Sequence, residues 1–460
     1  MKLEIKGNIN YSAVIVKIEK LVPLANCDNI QHTLIFGNNV IVSKDIKIED
    51  IGIFFPVECQ ISGEFLRVNN LYRDATLNTD QTKKGFFELN GRVRCVKFRG
   101  NKSEGFFVPI DSLLPLMHRG TIKEFKVGDT FDTINDNKIC EKYIIPRRQC
   151  SLEGNKKGRK AKISKIVKGQ FRFHIDTEKL ERNLDKFSKD TLVQISVKVH
   201  GTSAISSNTL CYKKLNIFQK LLLKVGLRLE ITYHDNIFSS RRVIKNDDIN
   251  KTQHFYSESI WKKGNDTLKD FIEKGMTIYY EIVGYLSDGR EIQKGYDYGC
   301  EVGKFDIYIY RITHTNVDGR TYEFSADQIQ LWCKQKGLKP VIELYKGTVE
   351  ELFKKLWVKH CGDSNGKNRE IIRKYECREF NIDSFFNLLK TEYLENNCPY
   401  CKNIVPFEGI VIRRLDTLDF EAYKLKSTAF LERETKLLDK EEVDIEELGI
   451  EENNSGGALC

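Results

Sequence analysis

The sequence contains no run of about 18 apolar residues, the length a helix needs to cross a bilayer. A transmembrane helix and a membrane partner are therefore not expected. The opening stretch, MKLEIKGNINYSAV, lacks the apolar h-region of a signal peptide, and its alternation suits a β-strand. Regular cysteine framing is also missing: the 13 cysteines are odd in number and scattered over 460 residues. That pattern gives no disulfide scaffold, so reduced thiols and an intracellular setting, cytoplasmic or nuclear, are expected. Internal repeats are lacking too. Neither sign of charge dominates, with 74 Lys and Arg against 65 Asp and Glu. The net +9 tilts toward polyanionic partners without specifying one.

What is present divides into four parts. Residues 1–138 read as β-rich: YSAVIVKIEKL, HTLIFG, NVIVSK, IGIFFPV, RVRCVKF and GFFVPI are short runs separated by turn residues. This is the pattern of a small barrel or sandwich. GRVRCVKFRG (91–100) alternates cations with apolar residues, giving a strand face that either tracks phosphates or is simply solvated. Residues 139–170 read as a basic linker. From 171 to 440 the pattern is mixed, and the fold class is α+β. DTEKLERNLDKF has helical spacing after an Asp or Thr cap, and YKKLNIFQKLLLKVGL reads as a basic amphipathic helix. Ser325 with Gln328, and Thr348 with Glu351, form capping-box patterns. LVQISVKV, TIYYEIVGY, KFDIYIYRI, FEGIVIRR and FEAYKLKS read as strands. The tail, 441–460, is acidic and expected to be disordered.

The stretch KVHGTS (198–203) places a lysine at the end of an apolar strand, before a His-Gly turn. Alone it does not separate a surface cation from a nucleophile. It is followed in order by SSRRVIK (239–245), EIVG (281–284), YIYRI (308–312), EGIVIR (408–413) and KLK (424–426), segments that set charges or rings among apolar neighbours. This ordered set resembles the motifs of the covalent nucleotidyltransferases, a superfamily of DNA ligases, RNA ligases and mRNA capping enzymes. KVHG is similar to the RNA-ligase form of the first motif. FHIDTEKL before it and KLKSTAFLERETKLLD at the end also resemble RNA ligases. The nearest resemblance is to the Naegleria-type family of ATP-dependent RNA ligases, and it covers nearly the whole chain.

The resemblance implies an N-terminal OB-like, RNA-binding barrel followed by an adenylyltransferase domain with an ATP-grasp-like, antiparallel-sheet architecture. It implies ATP and Mg²⁺ or Mn²⁺ as cofactors, RNA with 3′-OH and 5′-phosphate ends as partner, and a lysyl-AMP intermediate on Lys198. Val199, His200 and Gly201 would then lie at the nucleotide. Glu281 would bind the ribose or the metal shell, and Glu408 a divalent ion, as carboxylates suit such cations. Each glutamate taken alone also fits a structural pairing with a core arginine. Lys424 and Lys426, two apart on a strand, share one face and can aim at the same phosphate. Tyr308 and Tyr310 are the candidates to stack on adenine, with Phe305 nearby; core packing is the plainer reading of both. Arg241, with Arg242 second, is the candidate for ribose or 5′-phosphate.

Two positions depart from parts of the wider pattern. His200 stands where DNA ligases have Asp, and Val197 stands where some RNA ligases have Glu. DNA ligases and guanylyltransferases carry an OB domain after the last motif, whereas only 34 residues follow Lys426 here; an RNA ligase is thus expected over both. A non-catalytic RNA-binding protein with a relic transferase domain is the rival of another class, but no motif lysine or glutamate is missing. CPYC (398–401) is a single CxxC. A zinc site needs two more ligands, and His360, Cys361 and Cys377 follow no familiar spacing, so free thiols in a loop are expected.

Overall fold

LVQISV forms the strand Leu192–Val197, and the chain changes sheets immediately after it. A computed structural model of the chain describes residues 2–25, 27–117, 125–144, 165–245, 259–361 and 379–439. Leu192–Val197 belongs to a five-stranded sheet ordered Glu178–Lys179, Ala422–Lys426, Gly409–Arg414, Leu192–Val197, Glu343–Thr348. Its pairings are antiparallel except that of Glu178–Lys179 with Tyr423–Lys424, which is parallel. A second five-stranded sheet is antiparallel throughout: Thr232–Ser240, Thr202–Tyr212, Met276–Gly284, Phe305–Thr315, Thr321–Glu323. Residues 198–201 are the turn that joins the two sheets. Gly201 is required there, because a Cβ would lie 2.5 Å from the Ile282 carbonyl oxygen.

Each sheet has one face sealed by helices. Helices Val349–Cys361 and Ile382–Tyr393 cover the first, burying Leu352, Phe353, Phe385 and Leu389 against Val193, Ile195 and Ile412. Helices Ile260–Leu268 and Ala326–Lys336 cover the second, with Trp261, Ile329 and Trp332 against Ile278, Ile282 and Ile309. Both capping boxes form: Ser325 with Gln328, and Thr348 with Glu351 through bonds of 3.1 and 3.2 Å. The basic amphipathic segment forms a shorter helix, Ile217–Lys224.

Two expectations are corrected. DTEKLERNLDKF is not a helix. It forms the short strand Glu178–Lys179 and two 3₁₀ turns, Leu180–Arg182 and Leu184–Lys186. N-terminal groups hold it extended: Asn10 donates to the Thr177 carbonyl and accepts from the Lys179 N–H, and Arg182 donates to the carbonyls of Ile9 and Ser12.

The expected N-terminal barrel is not found closed among the described residues. Instead, a four-stranded sheet (Gly105–Pro109, Ile51–Pro56, Ala13–Lys17, Thr130–Phe131) is accompanied by smaller two- and three-stranded sheets. Its central strands are buried on both faces: Ala13, Ile15 and Phe55 enter one apolar cluster, Val14, Val16 and Phe54 another. A strand buried on both faces reads as a continuous apolar run, which the sequence AVIV shows. Cys140–Lys142, inside the stretch read as the start of the linker, pairs with Cys59–Ile61. The rest of that linker from 145 to 164, and the tail from 440, lie outside the described residues.

The cationic face of GRVRCVKFRG meets acids of the chain itself. Helix Thr428–Asp439 supplies Asp439, 3.5 Å from both Arg92 and Arg94, and Glu432, 2.9 Å from Lys97.

Candidate active site

The turn between the sheets opens into a cavity of about 150 Å³ lined by Lys198, Val199, His200, Gly201, Arg241, Glu281, Tyr310, Glu408, Lys424 and Lys426. The structure thus brings these residues together and leaves out three others named from the sequence, Tyr308, Phe305 and Arg242. The Tyr308 ring packs in the core, 6.1 Å from the ring of Tyr298. A bulge explains the separation: the ladder between Met276–Gly284 and Phe305–Thr315 shifts register between Tyr279 and Tyr280 and skips Tyr310. Tyr310 is therefore the aromatic at the cavity, and its hydroxyl lies 3.3 Å from that of Ser203. Phe305 packs against the helix-covered face of its sheet instead. Arg242 lies behind Arg241, 3.1 Å from Asp176.

Lys198 Nζ lies 2.6 Å from Glu408 Oε1. Glu408 is buried and stands just before strand Gly409–Arg414. Its second oxygen, Oε2, makes no hydrogen bond, and His200 Nδ1 is 3.6 Å away. Two backbone contacts fix the turn: Lys198 N–H donates to the Gly409 carbonyl at 2.9 Å, and His200 N–H donates to the Tyr298 hydroxyl at 2.6 Å. The imidazole of His200 packs edge-on to Tyr296 and Phe430, with centroids 4.7 and 4.9 Å apart. Its place is structural as much as polar.

The lysine pair splits in character. Burial, then the neighbouring Lys426 charge, brings Lys424 down to about 7. Burial alone would lower Lys426 as well. Glu434, Glu58 and Glu408 outweigh it and hold Lys426 well above the usual lysine value. Lys426 Nζ lies 3.0 Å from Glu58 and 3.4 Å from Glu434. Burial works to raise Glu58, yet Lys426, Lys179, Lys424 and Lys142 together hold its carboxyl far below the ordinary range.

Sequence reasoning missed the residues that reach the cavity from outside the motifs. Tyr11 comes from the 3₁₀ helix Ile9–Tyr11, Glu58 from the turn after strand Ile51–Pro56 and Lys142 from strand Cys140–Lys142, all in the N-terminal part, and His174 from the segment entering the larger half. Burial, then Arg241 and Arg311, pushes His174 down to about 3, so its imidazole is neutral. Asp176 pairs with both Arg241 and Arg242 and accepts from Asn8 at 2.6 Å. The sequence offered Asp176 as a cap and within FHIDTEKL, without naming it as a site residue. Glu58 carries one signal that no sequence pattern shows, a left-handed backbone with φ of 71°.

The residues fit a divalent cation in one respect: Glu408 presents a buried carboxylate oxygen with no hydrogen bond. No three His, Cys, Asp or Glu converge into a metal cage among the described residues. A cation here would rely on carboxylate, water and phosphate oxygens, which suits Mg²⁺ or Mn²⁺. At CPYC, Cys398 is buried and hydrogen-bonded to Cys401, which brings its thiol to about 7. His360 pairs with Glu392 at 2.7 Å, while Cys377 lies outside the described residues.

No protein-family model matches the chain, and no curated protein matches it in sequence. Solved structures do match. A variant of Naegleria gruberi RNA ligase with AMP and Mn is 16% identical, with a TM-score of 0.54 over 92% of this chain and 98% of that one. The Naegleria gruberi enzyme with PPi matches over the same shares, again at 16% identity and a TM-score of 0.54. A variant with ATP and Mn gives 16% and 0.52 over 93% and 99%. Coming after the paired sheets, the connecting KVHG turn and the apposed Lys-Glu-Lys-Lys set, these likenesses show that the chain has the Naegleria-type RNA ligase fold.

Proposed function

We propose that the protein is an ATP-dependent RNA ligase that joins a 3′-OH to a 5′-phosphate, acting on nicks in duplex RNA. The observation that carries this reading is the convergence of Lys198, Glu408, Lys424 and Lys426 at the turn between the sheets. The fold it shares with structures holding ATP, AMP and Mn supports it.

In the first step the Lys198 amine attacks the α-phosphorus of ATP. A P–N bond forms, the bond to pyrophosphate breaks, and the proton that the nitrogen loses is taken up by solvent water. An ammonium has no lone pair to give, and the Glu408 carboxylate lies 2.6 Å from Lys198 Nζ. Drawing the Glu408 charge away from Lys198 is thus the activating event. Bound Mg²⁺ or Mn²⁺, held by Glu408 and Glu281, would supply charge withdrawal from the phosphate. Lys426, kept cationic by its acids, neutralises charge on the same phosphate, and Lys424 beside it can gain a proton as that charge arrives. Arg241 is positioned for the ribose or 5′-phosphate, and Tyr310 for the base. AMP then passes from Lys198 to the RNA 5′-phosphate. Attack by the 3′-OH closes the phosphodiester and releases AMP.

Incubation with α-labelled ATP and a divalent cation should leave acid-stable label on the wild type and none on Lys198→Ala. Equal labelling of both would refute Lys198 as the nucleophile. Labelling by GTP alone would refute the ligase. Strand-specific sealing of nicked RNA against nicked DNA tests the substrate.

A further inference from the structure

Helix Ile217–Lys224 lies in the hairpin between strands Thr202–Tyr212 and Thr232–Ser240, and its apolar side faces outward. None of its residues is buried. Ile217, Phe218, Leu221 and Val225 are 88, 66, 56 and 69% exposed. Their spacing places them on one face. With no core to support it, the helix is held locally: the Gln219 N–H donates to Asn216 at 2.8 Å, and the Asn216 N–H donates to Gln219 at 3.0 Å. Lys220 and Lys224, one turn apart, flank the apolar face and are both exposed. Lys214 before the helix and Arg228 after it add positive charge. The strand that carries this tip starts beside the active site and is 11 residues long, so the tip lies roughly 35 Å away.

We propose that this tip is a peripheral docking surface for anionic lipid. An apolar face of this size bordered by lysines matches the boundary between acyl chains and anionic headgroups, where the rings and branched chains sink in and the ammonium groups stay at the phosphates. The shape agrees. Gln219, Leu222 and Leu223 are half-buried and no residue of the helix is fully buried, so its apolar face can enter a soft phase without a matching cleft. Polyanionic RNA satisfies the lysines but leaves Ile217, Phe218, Leu221 and Val225 in water, which disfavours it as the occupant. The remote position leaves the nucleotide cavity open while the tip is docked.

The test floats the full-length protein with vesicles of phosphatidylcholine, with or without phosphatidylserine. Wild type should rise with the phosphatidylserine vesicles and not with phosphatidylcholine alone. Phe218→Asp/Leu221→Asp should lower the bound fraction about tenfold or more, and Lys220→Glu/Lys224→Glu should lower it on anionic vesicles. Both pairs are surface changes and should keep the wild-type melting temperature. Absence of wild-type flotation, or equal flotation of Phe218→Asp/Leu221→Asp, overturns the proposal. So does a wild-type dimer that this variant dissociates, which would assign the face to a second copy. Loss of RNA affinity in Lys220→Glu/Lys224→Glu with vesicle binding intact would also overturn it.

Discussion

Glu58→Gln tests how the N-terminal sheets hold the lysine pair. The substitution keeps the shape and removes one charge. In the wild type Glu58 Oε1 lies 3.0 Å from Lys426 Nζ, with side chains only 15 and 17% exposed. Lys179, Lys424 and Lys142 add to the positive field around it. Removing one member of a fully buried pair costs about 3–5 kcal/mol. The residual exposure of both side chains, and the Glu434 contact that Lys426 keeps, reduce this to about 2–4 kcal/mol. The folded-state pKa of Glu58 is depressed, so its contribution is complete above the unfolded value of about 4.3 and is lost as pH falls toward the folded value. Urea denaturation at pH 7 should therefore show the full deficit for Glu58→Gln, and the gap to wild type should narrow progressively below about pH 5. Equal stability at pH 7, or a gap that stays constant into acid, would refute the reasoning.

Lys424→Met should behave in the opposite sense. Because burial lowers the Lys424 pKa to about 7, its cost to folding is greatest below that pH and fades as pH rises toward 10, so the variant should be more stable than wild type at pH 6 by on the order of 1–3 kcal/mol in urea titrations. The same variant should lose protein labelling by ATP. Tyr298→Phe removes the acceptor of the His200 N–H, and leaving that buried donor unmet should destabilise the protein by about 1–3 kcal/mol and slow labelling, read by calorimetry and a labelling time course. Chelation of divalent ions should abolish labelling, and added Mn²⁺ or Mg²⁺ should restore it.

Much of the site was legible because its residues sit on strands whose character is local. Leu192–Val197, Met276–Gly284 and Gly409–Arg414 are runs rich in apolar residues, and the charge beside or within them, Lys198, Glu281 and Glu408, marks a residue lining the cavity. The capping boxes were legible for the same reason, since three residues suffice to build one. What failed depended on distant partners. The 178–187 segment has helical spacing, but parallel pairing to Tyr423–Lys424 and bonds from Lys179 to Asn10 and from Arg182 to Ser12 override it. Tyr308 and Tyr310 parted at a bulge that only the neighbouring strand defines. Glu58 reaches Lys426 from 368 positions away, a separation over which no sequence period carries information.

The seam between the N-terminal part and the larger half carries ion pairs, Glu58 to Lys426, Arg92 and Arg94 to Asp439 and Lys97 to Glu432, beside the bonds of Asn10 and Arg182. Each half keeps apolar clusters of its own. Added salt shortens the reach of charges, from about 10 Å at 0.1 M to about 3 Å at 1 M, and spares apolar packing. Because Glu58, Lys426, Arg92 and Glu432 are largely buried, salt screens these pairs far less than surface charges, so the seam should hold at an ionic strength that silences exposed ion pairs.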